Sequence, residues 1–466
     1  MPIAELMTAE IETINQLLRA HGVKAITHRR MTLCAESSFI AYGLRLAPGE
    51  AIGKVERLQR ELADALSRTR ARHGYPGRVL VRIRDYPLAI ETPHPAPIPL
   101  DWKSTPLRGK PFNALVGKSY TPQGALNEYV DLHQHYHMLV AAMSGGGKST
   151  LMRMGLVSLA YNTPPGDLVI MLVDLKNDDL TPFQQLPHVH GYAGNIEAAA
   201  AMIDQVHQLK DTRIAGGEKT PRVLLVIDEL AELGERKDAL TLLGRILSTG
   251  RTLGINVWAG TQYPTATAIG GIVARSFTVR LVGRVDGAQA ANIATQRPGS
   301  GAHLLAHPGD FLRIDGPELV RLKAYNLGGA ATKGLIAAIG DRWGKQHVAP
   351  LAGATAAHPE TLATAESVTT TSGQPDADLL VIVDKIRPLW VEGAPLAAMI
   401  RAVFGTHANT GGTNRTKVLR ALEVLKDATT MPPAPMPTPV GSNAAAQSSS
   451  SDGGKIIKLF RATGSS

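Results

Sequence analysis

The sequence predicts an α/β protein: a doubly wound parallel sheet at its centre, a small α+β unit before it and a helical segment after it. Three observations predict this. Short β-rich apolar runs (138–142, 168–173, 223–227, 256–259 and 278–282) alternate with helical patterns, a glycine-rich turn follows the first run, and an acidic pair closes the third. With 466 residues the chain suits about three domains at ~150 residues each. A single cysteine, Cys34, excludes an intramolecular disulfide framework. No stretch approaches the ~20 apolar residues of a membrane span, and Glu5, Glu10 and Glu12 stand where a secretory signal would be basic. A soluble, cytoplasmic protein is therefore expected. The net charge of +9 permits a polyanionic partner without demanding one.

Residues 1–92 form the expected N-terminal α+β domain. Ile11, Ile14, Leu17 and Leu18 recur at helical spacing, and 39–46 alternates as a strand. A helix fits 51–70, with Val55, Leu58, Leu62 and Leu66 on one face. Residues 78–84 alternate again, placing Arg82 and Arg84 opposite Val79, Val81 and Ile83. Residues 93–109 are proline-rich and read as a stiff linker. The central α/β domain is expected over 110–345 and a flexible Ala/Thr/Pro linker over 346–376. A helix-turn-helix-like domain occupies 377–428, and a disordered Pro- and Ser-rich tail 429–466.

The chemistry begins at 138–150, where a strand runs into Ser144, Gly145, Gly146, Gly147, Lys148, Ser149 and Thr150 and then into a helix. Glycines let backbone N–H groups wrap a phosphate, Lys148 reaches the β- and γ-phosphates, and the Ser149 hydroxyl ligates Mg²⁺. Ala142 stands where the first glycine of such a loop is usual. The run 222–229 ends a buried strand in Asp228 and Glu229, at the edge where open α/β sheets bind ligands. Asp228 is expected in the Mg²⁺ shell, and Glu229 is expected to orient or deprotonate the attacking water. A third strand ends at Gln262, beside both, where it can sense the γ-phosphate. Arg245 and Arg251 bracket the end of the preceding helix. Either can stabilise phosphoryl-transfer charge from a neighbouring subunit, or serve only in a surface salt bridge.

His133, His135 and His137 alternate and so share a face on a strand, but no Cys or clear carboxylate joins them to complete a zinc site. Three helices are expected at 379–390, 394–404 and from about 414. The last carries Arg415, Lys417 and Arg420, and suits either a major-groove reader or a protein-interaction module.

The ordered set 144–150, 173–176, 227–233, 250–256 and 260–264 resembles the motor domain of the FtsK/SpoIIIE DNA translocases, within the FtsK–HerA class of ring ATPases. Residues 44–49 and the helix after them are similar to the small domain that precedes that motor. The resemblance covers about 35–328 and implies a RecA-like P-loop ATPase. It further implies a homo-hexameric ring that uses ATP and Mg²⁺ to pull double-stranded DNA through its channel. It assigns Lys148, Ser149, Asp228, Glu229 and Gln262 to the nucleotide and Arg251 or Arg245 to the finger. Arg236 and Lys237 fall at a pore-facing loop, and Tyr263 departs from the family's usual arginine. A winged-helix DNA reader often ends the family's chains, in keeping with 377–428. A type IV secretion coupling-type ATPase and a HerA-like DNA-processing ATPase are the alternative readings.

Overall fold

The computed structural model describes residues 3–344 except 103–106, 108, 217–218, 265–272 and 274, with five isolated positions beyond. The elements below all belong to one compact unit, Met1–Glu360. The expected C-terminal helices, with Arg415, Lys417 and Arg420, lie outside the described residues.

The N-terminal part runs α1 (Ile3–Ala20), β1 (Ala25–Ile26), β2 (Thr32–Ala35), β3 (Phe39–Gly43), β4 (Arg45–Leu46), α2 (Ile52–Arg57), α3 (Gln59–Arg72), β5 (Arg82–Arg84) and β6 (Ala89–Pro93). A four-stranded antiparallel sheet in the order β2-β3-β6-β5 packs its apolar face on α1 and α3 through Ile14, Leu18, Ile40, Leu62, Leu66 and Ile90. Three expected elements are interrupted. The strand expected over 39–46 divides between two sheets, because Leu44 turns its N–H to the Leu88 carbonyl and releases β4 to pair with β1. The helix expected over 51–70 breaks at Leu58, whose N–H bonds three residues back to Val55. The strand expected over 78–84 shortens to β5, because side chains of α3 take its first backbone groups. Ser67 accepts the Val79 N–H, and Gln59 donates to the Val81 carbonyl.

The second part continues with β7 (Asn113–Thr121), β8 (Gly124–Asp131), β9 (His137–Ala141), α4 (Lys148–Asn162), β10 (Leu168–Val173), β11 (Val189–Ala193), α5 (Ile196–Gly216), β12 (Arg222–Ile227), α6 (Lys237–Thr249), β13 (Ile255–Thr261), β14 (Val279–Val282), α7 (Ala288–Thr295), β15 (Asp310–Asp315), β16 (Glu318–Lys323) and α8 (Gly329–Trp343). They build one ten-stranded sheet in the order β11-β10-β12-β13-β9-β14-β15-β16-β7-β8. The first six strands are parallel and the remaining pairings antiparallel. Strand alternation supplies two apolar faces. Leu168, Ile170, Leu172, Leu224 and Val226 meet α4 and α8, while Val169, Met171, Val173, Leu225 and Ile227 meet α5 and α6.

The proline-rich stretch extends along this body as a strap. The His94 and Ile98 N–H groups bond to the Ser38 and Glu36 carbonyls, and the Asn326 N–H to the Leu100 carbonyl.

Buried charge joins the two parts. Glu91 of β6 accepts from Arg82 (2.7 Å), pairs with Arg84 (3.2 Å) and accepts from Arg321 of β16 (3.1 Å). Arg321 also reaches Asp310 at 2.9 Å. Burial works against ionisation of Glu91, but the guanidiniums of Arg82, Arg321 and Arg84 outweigh it and hold the carboxyl down at about 2. Glu91→Ala would leave the buried guanidiniums of Arg82 and Arg321, and half-buried Arg84, short of a partner and should cost about 3–5 kcal/mol in urea unfolding. A folded-state value below the ordinary 4.5 means the Glu91 contribution is complete above that pH and is lost as the pH falls through about 2. The stability gap between wild type and Glu91→Ala should therefore narrow across that window, and a constant gap would contradict the pairing.

Candidate nucleotide-binding site

The loop between β9 and α4 is shaped by backbone that few residues besides glycine adopt. Gly145 and Gly147 have φ of 73° and 98°, and the Gly146 N–H closes a turn on the Met143 carbonyl at 2.9 Å. Three bonds clip the loop to its neighbours: Ala142 N–H to Thr261 O (3.2 Å), Met143 N–H to Arg284 O (2.8 Å), and Gly309 N–H to Gly146 O (2.8 Å). A Cβ on Gly147 would lie 2.8 Å from the Gly309 nitrogen. Ala142 fits where a glycine is usual. Its φ is not in the left-handed region, and its buried methyl faces Gly146 and Gly283, where an added Cβ would come within 2.9 Å. The first turn of α4 opens onto the loop, giving the free N–H groups that an anion needs.

Parallel strands bring the expected polar groups to that same edge. The Lys148 ammonium donates to Asp228 Oδ1 at 2.6 Å and to the Asp228 carbonyl at 2.7 Å, all of it buried. An ammonium has three donors, so one remains for a phosphate. The bond uses only Oδ1 of Asp228, and the Ser149 hydroxyl makes no hydrogen bond among the described residues. A hydroxyl and a carboxylate oxygen are hard donors of the type Mg²⁺ prefers, so the residues present fit the ion. Glu229, buried beside Asp228, accepts the Gln262 N–H on both oxygens at 3.1 and 3.2 Å. Ser144, Gly145, Gly146, Gly147, Lys148, Ser149, Thr150 and Gln262 line one open cleft.

Three further residues belong to this edge. Lys176, after β10, lies 3.7 Å from Glu229 and 3.8 Å from Glu232. Arg153 lines the cleft and pairs with Asp179 at 3.3 Å. Arg153 was findable, because four residues after Ser149 on a helix is the same face. Asp179 was not. Its loop is folded back by buried Asp174, whose Oδ2 accepts the Asp178 and Leu180 N–H groups at 3.0 Å.

The expected arginines do not join the cleft. Arg251 is exposed and stacks 4.5 Å over the Tyr136 ring, at the end of the sheet where β9 and β13 begin. Seven strand residues, about 20 Å, separate that end from Gln262. Arg245 is exposed on α6. Arg236 spends its guanidinium on Asp238 at 2.6 Å, and Lys237 is exposed at the start of α6. The histidines diverge because 132–136 is a turn, which breaks strand alternation. His133 meets Phe112 edge to face, and His135 bonds Asp315 at 2.9 Å. His137 is buried, which pushes it down to about 4, and accepts the Val257 N–H. No cluster of three metal-ligating side chains occurs among the described residues.

A family model described as FtsK/SpoIIIE matches residues 114–215, from β7 through the phosphate loop into α5. The matched segment ends before Asp228 and Glu229, but alignments with curated relatives extend further. DNA translocase FtsK of Chlamydia trachomatis is 25% identical over 366 residues, 67% of this chain and 44% of the relative. DNA translocase SftA of Bacillus subtilis is 29% identical over 215 residues, 40% of this chain and 22% of the relative. The chain spans less than half the length of these relatives. Among solved structures, the pCW3 conjugation coupling protein TcpA with ATPγS aligns at 20% identity and a TM-score of 0.47, covering 71% of this chain and 99% of that one. No helix among the described residues is long and apolar enough to cross a membrane.

Gly147→Ala should weaken nucleotide binding by more than about tenfold, since it forces a side chain into left-handed backbone against Gly309. Gly166→Ala, where a Cβ meets nothing within 4 Å, is the control for the same fluorescent-nucleotide titration and should bind as wild type.

Proposed function

We propose that this chain is an ATP-hydrolysing motor that moves along double-stranded DNA as a homo-hexameric ring. The observation that carries the reading is that Lys148 and Gln262, which line the phosphate-loop cleft, are bonded directly to the buried acids Asp228 and Glu229 behind it. A phosphate-binding lysine, a metal-holding acid and a second acid beside the strand that senses the phosphate are the parts that phosphoryl transfer to water requires. DNA as the substrate is supported by the relatives, which are named DNA translocases.

In this reading the loop amides and Lys148 bind the β- and γ-phosphates, and Ser149 and Asp228 hold Mg²⁺. The ion supplies charge neutralisation on the phosphates. Glu229 accepts the proton of the attacking water, and the Gln262 backbone N–H fixes its carboxylate in the ground state. Gln262 then reports γ-phosphate to the strand end and to exposed Tyr263 beyond it. The separation of Arg251 from its own cleft suits a donor offered to the neighbouring subunit, with Arg245 the second candidate. Lys237 offers a cation to DNA, while Arg236 must first leave Asp238. Arg415, Lys417 and Arg420 are proposed as the sequence reader.

Turnover measured with long duplex DNA, short duplex, single strands and no DNA tests the reading. Long duplex should raise the rate severalfold, and a rate indifferent to DNA overturns the motor. Lys148→Ala should lose nucleotide binding by at least about tenfold. Glu229→Gln should keep binding and lose turnover by about 10²–10⁴-fold, the usual worth of a general base.

A further inference from the structure

At the end of the sheet where β9 and β13 begin, far from the phosphate loop, a glycine brings an arginine onto an aromatic ring. Gly250 lies against both strands: a Cβ there would meet the Ile255 carbonyl at 3.0 Å and the His137 ring at 3.6 Å. The turn Gly250–Leu253 that carries Arg251 closes on Gly254, whose φ of 68° lets the chain enter β13 directly. The residue after Gly250 therefore meets the residue before His137, and the Arg251 guanidinium lies 4.5 Å from the centre of the Tyr136 ring.

The ring is a fixed platform. Fully buried Asn256 donates its amide to the Tyr136 and Leu132 carbonyls, both at 2.9 Å, which pins the turn before β9. The same Asn256 accepts from Arg222 on Oδ1 at 3.0 Å. Burial lowers the Arg222 guanidinium, and neighbouring Tyr136 and Asp131 oppose that shift, so the Tyr136 side chain lies within the field of a second cation.

A guanidinium stacked by its face keeps all five N–H donors free in its own plane, whereas a carboxylate takes two of them. Arg236 shows the second case, with Nε and Nη2 both on Asp238. Arg245 lies close enough to Asp211 of α5 to interact with it electrostatically. Arg251 makes no ion pair among the described residues. From this contrast we propose that Tyr136 is a positioning residue for Arg251: its ring orders the long side chain and leaves the N–H fork free for phosphate in a neighbouring subunit. The inference rests on the reading of Arg251 as a donor in trans and names the group that presents it. Ordering the side chain beforehand removes that entropy from the barrier to phosphoryl transfer.

Turnover of the full chain with long duplex DNA tests the role. Tyr136→Leu should lower kcat by about tenfold, within the range of a stacked cation. It should leave the KM for ATP and fluorescent-nucleotide affinity unchanged, because the cleft lies about 20 Å away. Tyr136→Gln, a second variant without a ring, should repeat that result, and Tyr136→Phe, which keeps the ring face, should hold kcat within about twofold of wild type. In an Arg251→Ala background Tyr136→Leu should cause no further loss, since the ring then has nothing to position. An equal loss in that background makes Tyr136 merely structural and overturns the proposal. Full activity of Tyr136→Leu beside a damaged Arg251→Ala overturns it too, while leaving the arginine's role standing. Wild-type turnover by Arg251→Ala defeats the donor reading itself and Tyr136 with it.

Discussion

The contact between the phosphate loop and β15 is the constraint on which the arrangement depends. Gly147 can approach Gly309 only without a side chain, and the Gly309 N–H completes the join on the Gly146 carbonyl. Next along β15, fully buried Asp310 receives Arg321, Lys323 and the Ser38 hydroxyl at 2.7 Å. Arg321 carries the chain of charge on to Glu91 and so to Arg82 and Arg84. Each of these ions would cost several kcal/mol alone in the interior, and each is tolerated because the next one pairs with it. The position of the N-terminal sheet is thereby tied to the shape of the loop through one unbroken set of bonds.

The same logic governs the chemistry at the opposite side of the loop. Lys148 and Asp228 neutralise one another in a buried setting, so the protein carries neither an unpaired ammonium nor an unpaired carboxylate there. Glu229 is similarly held, by a backbone amide and by Lys176 at longer range. Parallel strand ends make this possible. β9, β12 and β13 are neighbours in register, and their C-terminal residues lead to the loop, the two acids and Gln262 at one edge. Arg251 sits at the other end of β13, stacked on Tyr136 and about 20 Å from that edge.

Much of this was legible in the sequence. Fully buried strands read as unbroken apolar runs, and the glycine spacing at 144–150 and the acids at 228 and 229 are patterns contained in short stretches of chain. The departures were local competitions decided by distant partners. Ser67 and Gln59 captured backbone groups that alternation assigns to a strand, and a turn at 132–136 dispersed three histidines that alternation aligned. The proline-rich run was readable as extended chain. That it lies against Asn326 was not, because the bonds from Leu100 and Trp102 to Asn326 join residues more than two hundred positions apart.

The sequence by itself determined the α/β class, the phosphate loop and the acidic strand end, since each is written in residues close together along the chain. Only the tertiary structure decided that Ala142 is admissible, through two glycines that make room for its methyl. It also decided that Arg236 is occupied by Asp238 and that Arg251 stacks on Tyr136. These outcomes depend on which surfaces meet across strand crossovers, and steric room and charge compensation exist only once they have met.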